Sequence, residues 1–293
     1  MKNYFSKEEI RVLKIEDSFY PESLRKIQYP PKRLYFRGKF PRNGIFFAIV
    51  GTRRCSDYGK EIAFSFAKTL AEKGVIVVSG MARGIDTFSH KGAIEGGGKT
   101  IAVLGTGVDE KSIYPKENIP LARKILESGG CLISEYPPGT PGRKENFPKR
   151  NRIISGLSKG VLIVEAKLKS GALITANLAK KQKREVFAVP GPVHSLNSKG
   201  PHSLIKKGAR LTETVEDILK FLNVSSRKRG REVTGKTLEE RLIIEVLKNG
   251  CLSVEEIIER SKLNPQQVSI TLSLLEIESR VKSLGGNIYT LLN

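Results

Sequence analysis

The chain has 293 residues, 39% of them hydrophobic, with 51 Lys/Arg against 30 Asp/Glu and a formal net charge of +21. That length supports a full core and more than one domain, and so large a positive excess points to a polyanionic partner, nucleic acid first and an anionic membrane surface second. No apolar run approaches the ~18 residues of a membrane span and Met1-Lys-Asn-Tyr-Phe-Ser has no signal-peptide core, so a cytoplasmic protein without a membrane role is expected. Cys55, Cys131 and Cys251 are odd in number and far apart, and His90, His194 and His202 are equally dispersed. Neither a disulfide framework nor a metal site is expected, and no cofactor.

Residues 1–40 carry prolines at 21, 30 and 31, with Pro41 directly after them, which forbid a long helix, and are expected to form an N-terminal extension packed on the core. From Ile45 the pattern changes. Residues 45–50, 75–79, 100–104, 131–134, 161–164 and 186–189 are apolar on consecutive positions, as buried strands are. Helical stretches at 58–73, 85–95, 117–128, 149–157 and 173–182 alternate with them. This alternation predicts an α/β fold over residues 41–222: an extended Rossmann-like, doubly wound, mostly parallel sheet covered on both faces.

In such sheets ligands bind outside the carboxyl ends of the strands. The glycine-rich turns Gly51-Thr-Arg-Arg54, Ser79-Gly-Met-Ala-Arg-Gly-Ile-Asp86 and Gly105-Thr-Gly107 fall there. Glycines let a backbone approach a phosphate, helix N-termini add N–H donors, and Arg53, Arg54 and Arg83 bring full charges to the same rim. From Pro141 to Arg152 five cations (Arg143, Lys144, Lys149, Arg150, Arg152) accompany one acid, Glu145, and one ring, Phe147. Cations beside an exposed ring suit a single-stranded nucleic acid, with charges on phosphates and a flat face under a base. A second basic concentration (Lys167, Lys169, Lys180, Lys181, Lys183, Arg184) surrounds Ser170-Gly171, whose place at a strand-to-helix turn suits an N-cap and a further phosphate contact.

A dinucleotide site is disfavoured, because Gly51-Thr-Arg-Arg is not G-x-G-x-x-G and Gly105-Thr-Gly107 lacks the third glycine. No Walker motif is present, and no catalytic set: Asp86 reads as a cap or dipole partner and Glu135 has no nucleophile beside it. The enzymatic alternative is a nucleotide-processing, phosphoribohydrolase-type protein built on Gly105-Thr-Gly107 and Glu135. The chain is expected not to be an enzyme.

Leu204, Ile205, Leu211, Val215, Ile218 and Leu219 would complete the core or form an oligomer contact. Residues 223–236, with Ser225-Ser-Arg-Lys-Arg-Gly-Arg231, read as a flexible basic linker. Residues 237–293 show three helical stretches, capping signals at Ser253-Val-Glu-Glu256 and Asn264-Pro265, and a terminal hairpin, the pattern of a winged helix. This segment has six Lys/Arg against eight Asp/Glu, a net of −2, so residues 1–236 carry +23. Since phosphate contacts dominate duplex affinity, a protein-contact or regulatory role is favoured for it.

These residues resemble the DNA-processing protein A family, also called DprA or Smf. The matching stretches are Tyr20-Pro-Glu-Ser-Leu, Gly51-Thr-Arg-Arg with Ser56 and Tyr58-Gly59, Ser79-Gly-Met-Ala-Arg-Gly-Ile-Asp86 with His90, and Thr100-Ile-Ala-Val-Leu-Gly-Thr-Gly107. They continue with Tyr114-Pro115, Ser134-Glu135, Phe147-Pro-Lys-Arg-Asn-Arg-Ile-Ile-Ser-Gly156, Val164-Glu-Ala166, Ser170-Gly-Ala-Leu-Ile-Thr-Ala176 and Val186-Phe-Ala-Val-Pro-Gly191. The resemblance implies a non-enzymatic, dimeric, single-stranded DNA binder that loads the recombinase RecA during natural transformation. It implies Arg83 and Lys144 as main phosphate contacts, Phe147 as a base stack, and Ser170-Gly171 near the backbone. Residue chemistry and resemblance together give the candidate DNA-binding set Gly51, Thr52, Arg53, Ser79, Gly80, Arg83, Gly84, Lys144, Phe147, Lys149, Arg150, Asn151, Arg152, Ser170 and Gly171. Thr52, Met81 and Ala172 depart mildly from the family pattern. Fewer than 20 residues precede Tyr20, where family members often carry a helical domain.

Overall fold

The computed structural model describes residues 9–224, 237–247, 250–278 and 280–291. The chain divides into two units, Met1–Ser226 and Arg227–Asn293.

The first unit is built on a nine-stranded sheet. Its strands are β1 (Arg11–Lys14), β2 (Arg33–Gly38), β3 (Ile45–Val50), β4 (Val75–Ser79), β5 (Thr100–Leu104), β6 (Cys131–Ser134), β7 (Gly160–Ile163), β8 (Glu185–Ala188) and β9 (Arg210–Leu211). They lie in the order β1-β2-β6-β5-β4-β3-β7-β8-β9, with β3 to β9 parallel and β1–β2 and β2–β6 antiparallel. Strand order reverses between β3 and β7, where Val50 pairs with Ile163, so the crevice beyond Val50 is the topological switch point.

Helices cover both faces, as consecutive burial requires. On one face Phe47, Ile49, Val75, Val77, Leu162 and Phe187 pack on Ala63, Phe66, Ala67 and Leu70 of α2 (Asp57–Glu72) and on Ile85 and Ala93 of α3 (Ile85–Glu95). On the other, Ala48, Val50, Val78, Ile101, Val161 and Ala188 pack on Ile153, Ile154 and Leu157 of α5 (Asn146–Leu157) and on Ala172, Ala176 and Ala179 of α6 (Gly171–Lys181). Between α3 and α5 the chain forms α4 (Ile119–Glu127), whose Leu121, Ala122 and Ile125 close a third cluster against Leu104 and Leu132.

Strands β3 to β6 lie where the apolar runs predicted, and β7 and β8 begin one residue early. Helix α5 starts at Asn146 and not at 149, because Pro148 falls in the first turn, where no intrahelical N–H is lost. The N-terminal segment differs more. A short helix α1 (Glu22–Arg25) separates β1 from β2, and both strands belong to the main sheet instead of lying on it as an extension. Leu13 and Leu34 point into the core, and the Tyr20 hydroxyl donates to Pro31 O at 2.7 Å to tie the connecting loop.

After β8 come α7 (Lys199–Lys206) and, following β9, α8 (Val215–Phe221). Leu204, Val215, Ile218 and Leu219 join the core and Ile205 packs against it, while Leu211 stays exposed. The basic stretch at 223–236 lies, from residue 225 onward, outside the described residues.

The second unit holds α9 (Leu238–Leu247), β10 (Leu252–Ser253), α10 (Val254–Ser261), α11 (Pro265–Ile277), β11 (Val281–Gly285) and β12 (Ile288–Leu291). Its three strands pair in the order β10-β12-β11. Capping boxes at Ser253/Glu256 and Asn264/Gln267 start α10 and α11. Ile243, Ile244, Leu247, Ile257, Val268, Leu272 and Val281 form its own core, a winged-helix arrangement.

Candidate nucleic-acid interface

The loop after β4 is fixed from inside the protein. Asp86, in the first turn of α3, accepts from Gly80 N at 3.1 Å and Ala82 N at 3.3 Å. Arg150, from α5, faces it and donates Nη1 to Gly80 O at 2.7 Å and to Val103 O. Burial pushes the Asp86 carboxyl up, against the opposing pull of Arg150 and the two N–H groups. Burial also brings Arg150 down to about 10, Asp86 resisting, so the guanidinium stays charged at neutral pH. A Cβ on Gly80 would lie 2.7 Å from both Asp86 Oδ2 and Arg150 Nη2, so this pair requires glycine there.

Gly84, at φ +75°, brings its Cα against Thr52 O, where a Cβ would stand 2.4 Å away. Ile85 N donates to the same carbonyl at 3.2 Å, locking the loop after β4 to the loop after β3. Asn118 Nδ2 supports the far side by donating to Met81 O at 2.8 Å. What this frame leaves outside is Arg83, exposed and ion-paired with Glu117 at 2.5 Å.

Opposite stands the start of α5. Asn146 Nδ2 donates to Gly105 O at 3.2 Å, anchoring the helix to the loop after β5. The half-buried Phe147 ring lies 5.7 Å from the Tyr114 ring and 5.6 Å from the Arg53 guanidinium. On the third side α6 begins, with Ser170 Oγ accepting from Ala172 N at 3.3 Å and Asn151 Nδ2 donating to Gly171 O at 3.3 Å.

A cleft of about 720 Å³ opens between these elements, within the ~300–1,000 Å³ of ligand sites. Gly51, Thr52, Arg53, Arg54, Lys144, Phe147, Asn151, Lys167, Lys169, Ser170 and Gly171 line it. A hollow of about 230 Å³ shares Arg53, Arg54, Tyr114 and Phe147 and adds Gly80 and Arg83. The site is thus a basic trough with two rings in its wall and a helix N-terminus at its end, which suits phosphates and stacked bases.

The structure separates the candidate residues. Gly51, Thr52, Arg53, Gly80, Arg83, Lys144, Phe147, Asn151, Ser170 and Gly171 converge on the two hollows. Arg150 touches both hollows but is only 4% exposed and committed to two carbonyls, so a free phosphate contact is not its role. Ser79 is buried, its hydroxyl donating to Ile49 O at 2.7 Å, and Gly84 serves backbone packing. Lys149 and Arg152 line neither hollow; Arg152 pairs with Glu135 at 2.6 Å and donates Nε to Tyr29 O at 2.9 Å. That pairing also removes Glu135 from the cleft, against the phosphoribohydrolase alternative. Arg54, Tyr114, Lys167 and Lys169 line the trough and stood outside the candidate set; the first and last two were legible as rim and post-strand cations. Glu165 is buried and structural, accepting from Ser56 N at 2.9 Å and Ser56 Oγ at 2.6 Å.

Residues 11–223 match the family described as DNA recombination-mediator protein A, and residues 229–287 match the DprA winged helix domain. The chain belongs to the DNA recombination-mediator protein A family. It is 48% identical over 208 residues to protein Smf of Escherichia coli K12, a match covering 71% of this chain and 55% of that protein, so it spans about half of that relative's length. It is 43% identical over 215 residues to the DNA processing protein DprA of Bacillus subtilis, covering 73% and 71%. Among solved structures, DprA of Streptococcus pneumoniae aligns with a TM-score of 0.67 at 40% identity, covering 73% of this chain and 76% of that one. DNA processing protein A of Helicobacter pylori, whose structure concerns its single-stranded DNA binding mode, aligns at 0.65 and 30% identity, covering 73% and 96%. Among the described residues no helix is long and apolar enough to cross a membrane.

Proposed function

We propose that this member of the recombination-mediator family holds single-stranded DNA in the trough at the carboxyl ends of β3, β4, β5 and β7, as a non-catalytic binder. The observation that carries the reading is the wall of the trough: Phe147, flanked by Tyr114 and Arg53, among the exposed cations Arg54, Arg83, Lys144, Lys167 and Lys169. Rings among cations accept a strand whose bases are unpaired, whereas a duplex hides those faces. The single-strand binding mode described for the H. pylori relative supports the same reading.

Downstream of binding, the proposal extends to protecting incoming DNA and delivering it to the recombinase RecA during natural transformation, in the cytoplasm and as a homodimer. This part draws on the recombination-mediator family itself; of the six apolar positions expected to complete the core or form an oligomer contact, four are buried in the core. The winged-helix unit is not proposed as a duplex reader, since α11 has no Lys or Arg and shows Ile270, Leu274 and Ile277 on its outer side.

The test is binding of a labelled oligo-dT by the Arg83→Glu and Lys144→Glu chains. Each loses affinity at least tenfold with an unchanged melting temperature if the trough is the site. Normal binding by both would remove it.

A further inference from the structure

A second basic-aromatic pocket lies at the opposite end of the same sheet. Gly38 pairs with Cys131, the first residue of β6, so Lys39, Phe40 and Arg42 emerge at the amino ends of the parallel strands, away from the trough. With Arg11, Phe19 and Phe36 they line a cavity of about 250 Å³. The Arg42 guanidinium lies 4.0 Å from the Phe19 ring centroid and the Arg11 guanidinium 4.8 Å from that of Phe36, whose ring stands 5.9 Å from Phe40.

Three features distinguish this pocket from an ordinary edge. Phe19 is 55% exposed, a ring left in water that nothing in the core requires. Among the described residues no carboxylate pairs with Arg11, Lys39 or Arg42; Arg11 donates only to Gly38 O, at 2.7 Å, which fixes its direction. Finally, from Ser23 to Asn43 the sequence has seven Lys/Arg and no acid, so the segment that supplies Phe36, Lys39, Phe40 and Arg42 carries no competing negative charge; of the two acids between Arg11 and Phe19, Glu16 and Asp17, the latter already accepts from Lys14 N at 2.7 Å. Cations alone would suit any polyanion. The three phenyl rings among them add flat faces that bases use and carboxylates do not, and a guanidinium plane over a ring extends that stacking surface.

We propose that the Phe19–Arg42 pocket is a second contact for single-stranded nucleic acid, a base stacking on Phe19 or Arg42 while Arg11 and Lys39 hold the flanking phosphates. The proposal rests on the reading that this chain binds single strands, but it names a separate site.

The test is photocrosslinking of the full chain to a single-stranded oligonucleotide carrying 5-iodouracil, with the adducts mapped to peptides. Adducts on Phe19 or Phe40 are expected in the unmodified chain and in an Arg83→Glu/Lys144→Glu variant. They should vanish in Phe19→Ala/Arg42→Glu, which keeps its melting temperature and its adduct at Phe147. Adding that pair to the trough variant should lower its residual affinity at least about fivefold, the lower bound for losing one stacked base. Adducts at Phe147 with none between residues 9 and 43 would overturn the second site and leave the trough standing. Adducts at neither place would overturn both. If polyglutamate displaced the Phe19 adduct as readily as unlabelled single strand, the pocket would be a general polyanion surface and the proposal would fall.

Discussion

Arg83 Nη2 lies 2.5 Å from Glu117 Oε1, and both side chains are more than half exposed, at 61% and 62%. An exposed pair of this kind contributes little to stability. Its consequence is for binding, since it holds one of the trough's outward cations against a carboxylate that a phosphate must displace. Glu117→Gln should therefore leave the melting temperature unchanged and tighten oligo-dT binding about two- to fivefold at low salt. The gain should disappear near 1 M salt, where screening acts within ~3 Å. Anisotropy titrations at two salt concentrations check it.

Phe147→Ala should weaken single-strand binding by about one to two orders of magnitude, the range for losing one base stack. Phe147→Tyr should retain it. Because the ring is only half-buried, against Tyr114, thermal melting of the alanine variant should shift little; fluorescence titration beside a melting curve reads both.

Arg150 tests the opposite kind of role. Arg150→Met removes the buried positive charge facing Asp86 and takes one donor each from Gly80 O and Val103 O. Leaving a buried polar group unsatisfied costs about 1–3 kcal/mol, and more where a charge is involved. A clear fall in melting temperature should accompany any loss of DNA binding, in contrast to Lys144→Glu, where binding falls alone.

His90 supplies a pH signature. Thr100 Oγ1 donates to Val77 O at 2.7 Å and so accepts from His90 Nδ1, also at 2.7 Å, which leaves Nε2 bare and buried. Burial, with a smaller push from Arg150, brings this imidazole down from 6.5 to about 3. The folded value is depressed, so the unfolded chain binds the extra proton: the stabilisation is complete above 6.5 and is lost as pH falls from there toward 3. The loss should reach up to about 1.4 kcal/mol per pH unit. His90→Gln should flatten this limb relative to the unmodified chain, as melting curves between pH 7 and pH 4 would show.

The parallel core was legible because strands buried on both faces write their positions as unbroken apolar runs, as at Val75–Ser79 and Thr100–Leu104, where all five residues are buried. The edge strands were not. In β1 and β2 buried Leu13 and Leu34 stand among exposed Arg11, Lys14 and Arg33 with no regular alternation in β1, and the nearby Pro30-Pro31 made the segment read as loop. In the site, converging strand-end loops were legible from fold logic, but the division between Arg83 and Arg150 was not. Helix periodicity from Asn146 would have given it: Asn146, Arg150, Ile153, Ile154 and Leu157 fall on one buried stripe. Reading the helix from 149 hid that phase. Tyr114 reaches the Phe147 ring from the loop after β5, a tertiary contact with no local sequence signal.

On the proposed function the trough grips unpaired strands through several phosphates and at least one stacked base. Anisotropy of the full chain with labelled poly-dT and with a matched duplex, each across a salt series, tests it most directly. Single-strand binding should outlast duplex binding as salt rises, with a log–log slope built from several contacts at about −0.7 each, and Arg83→Glu/Lys144→Glu should lower the slope by about 1.4. Equal, weak binding to both forms, with a slope the double variant leaves unchanged, would contradict it and reduce the +21 charge to a nonspecific surface.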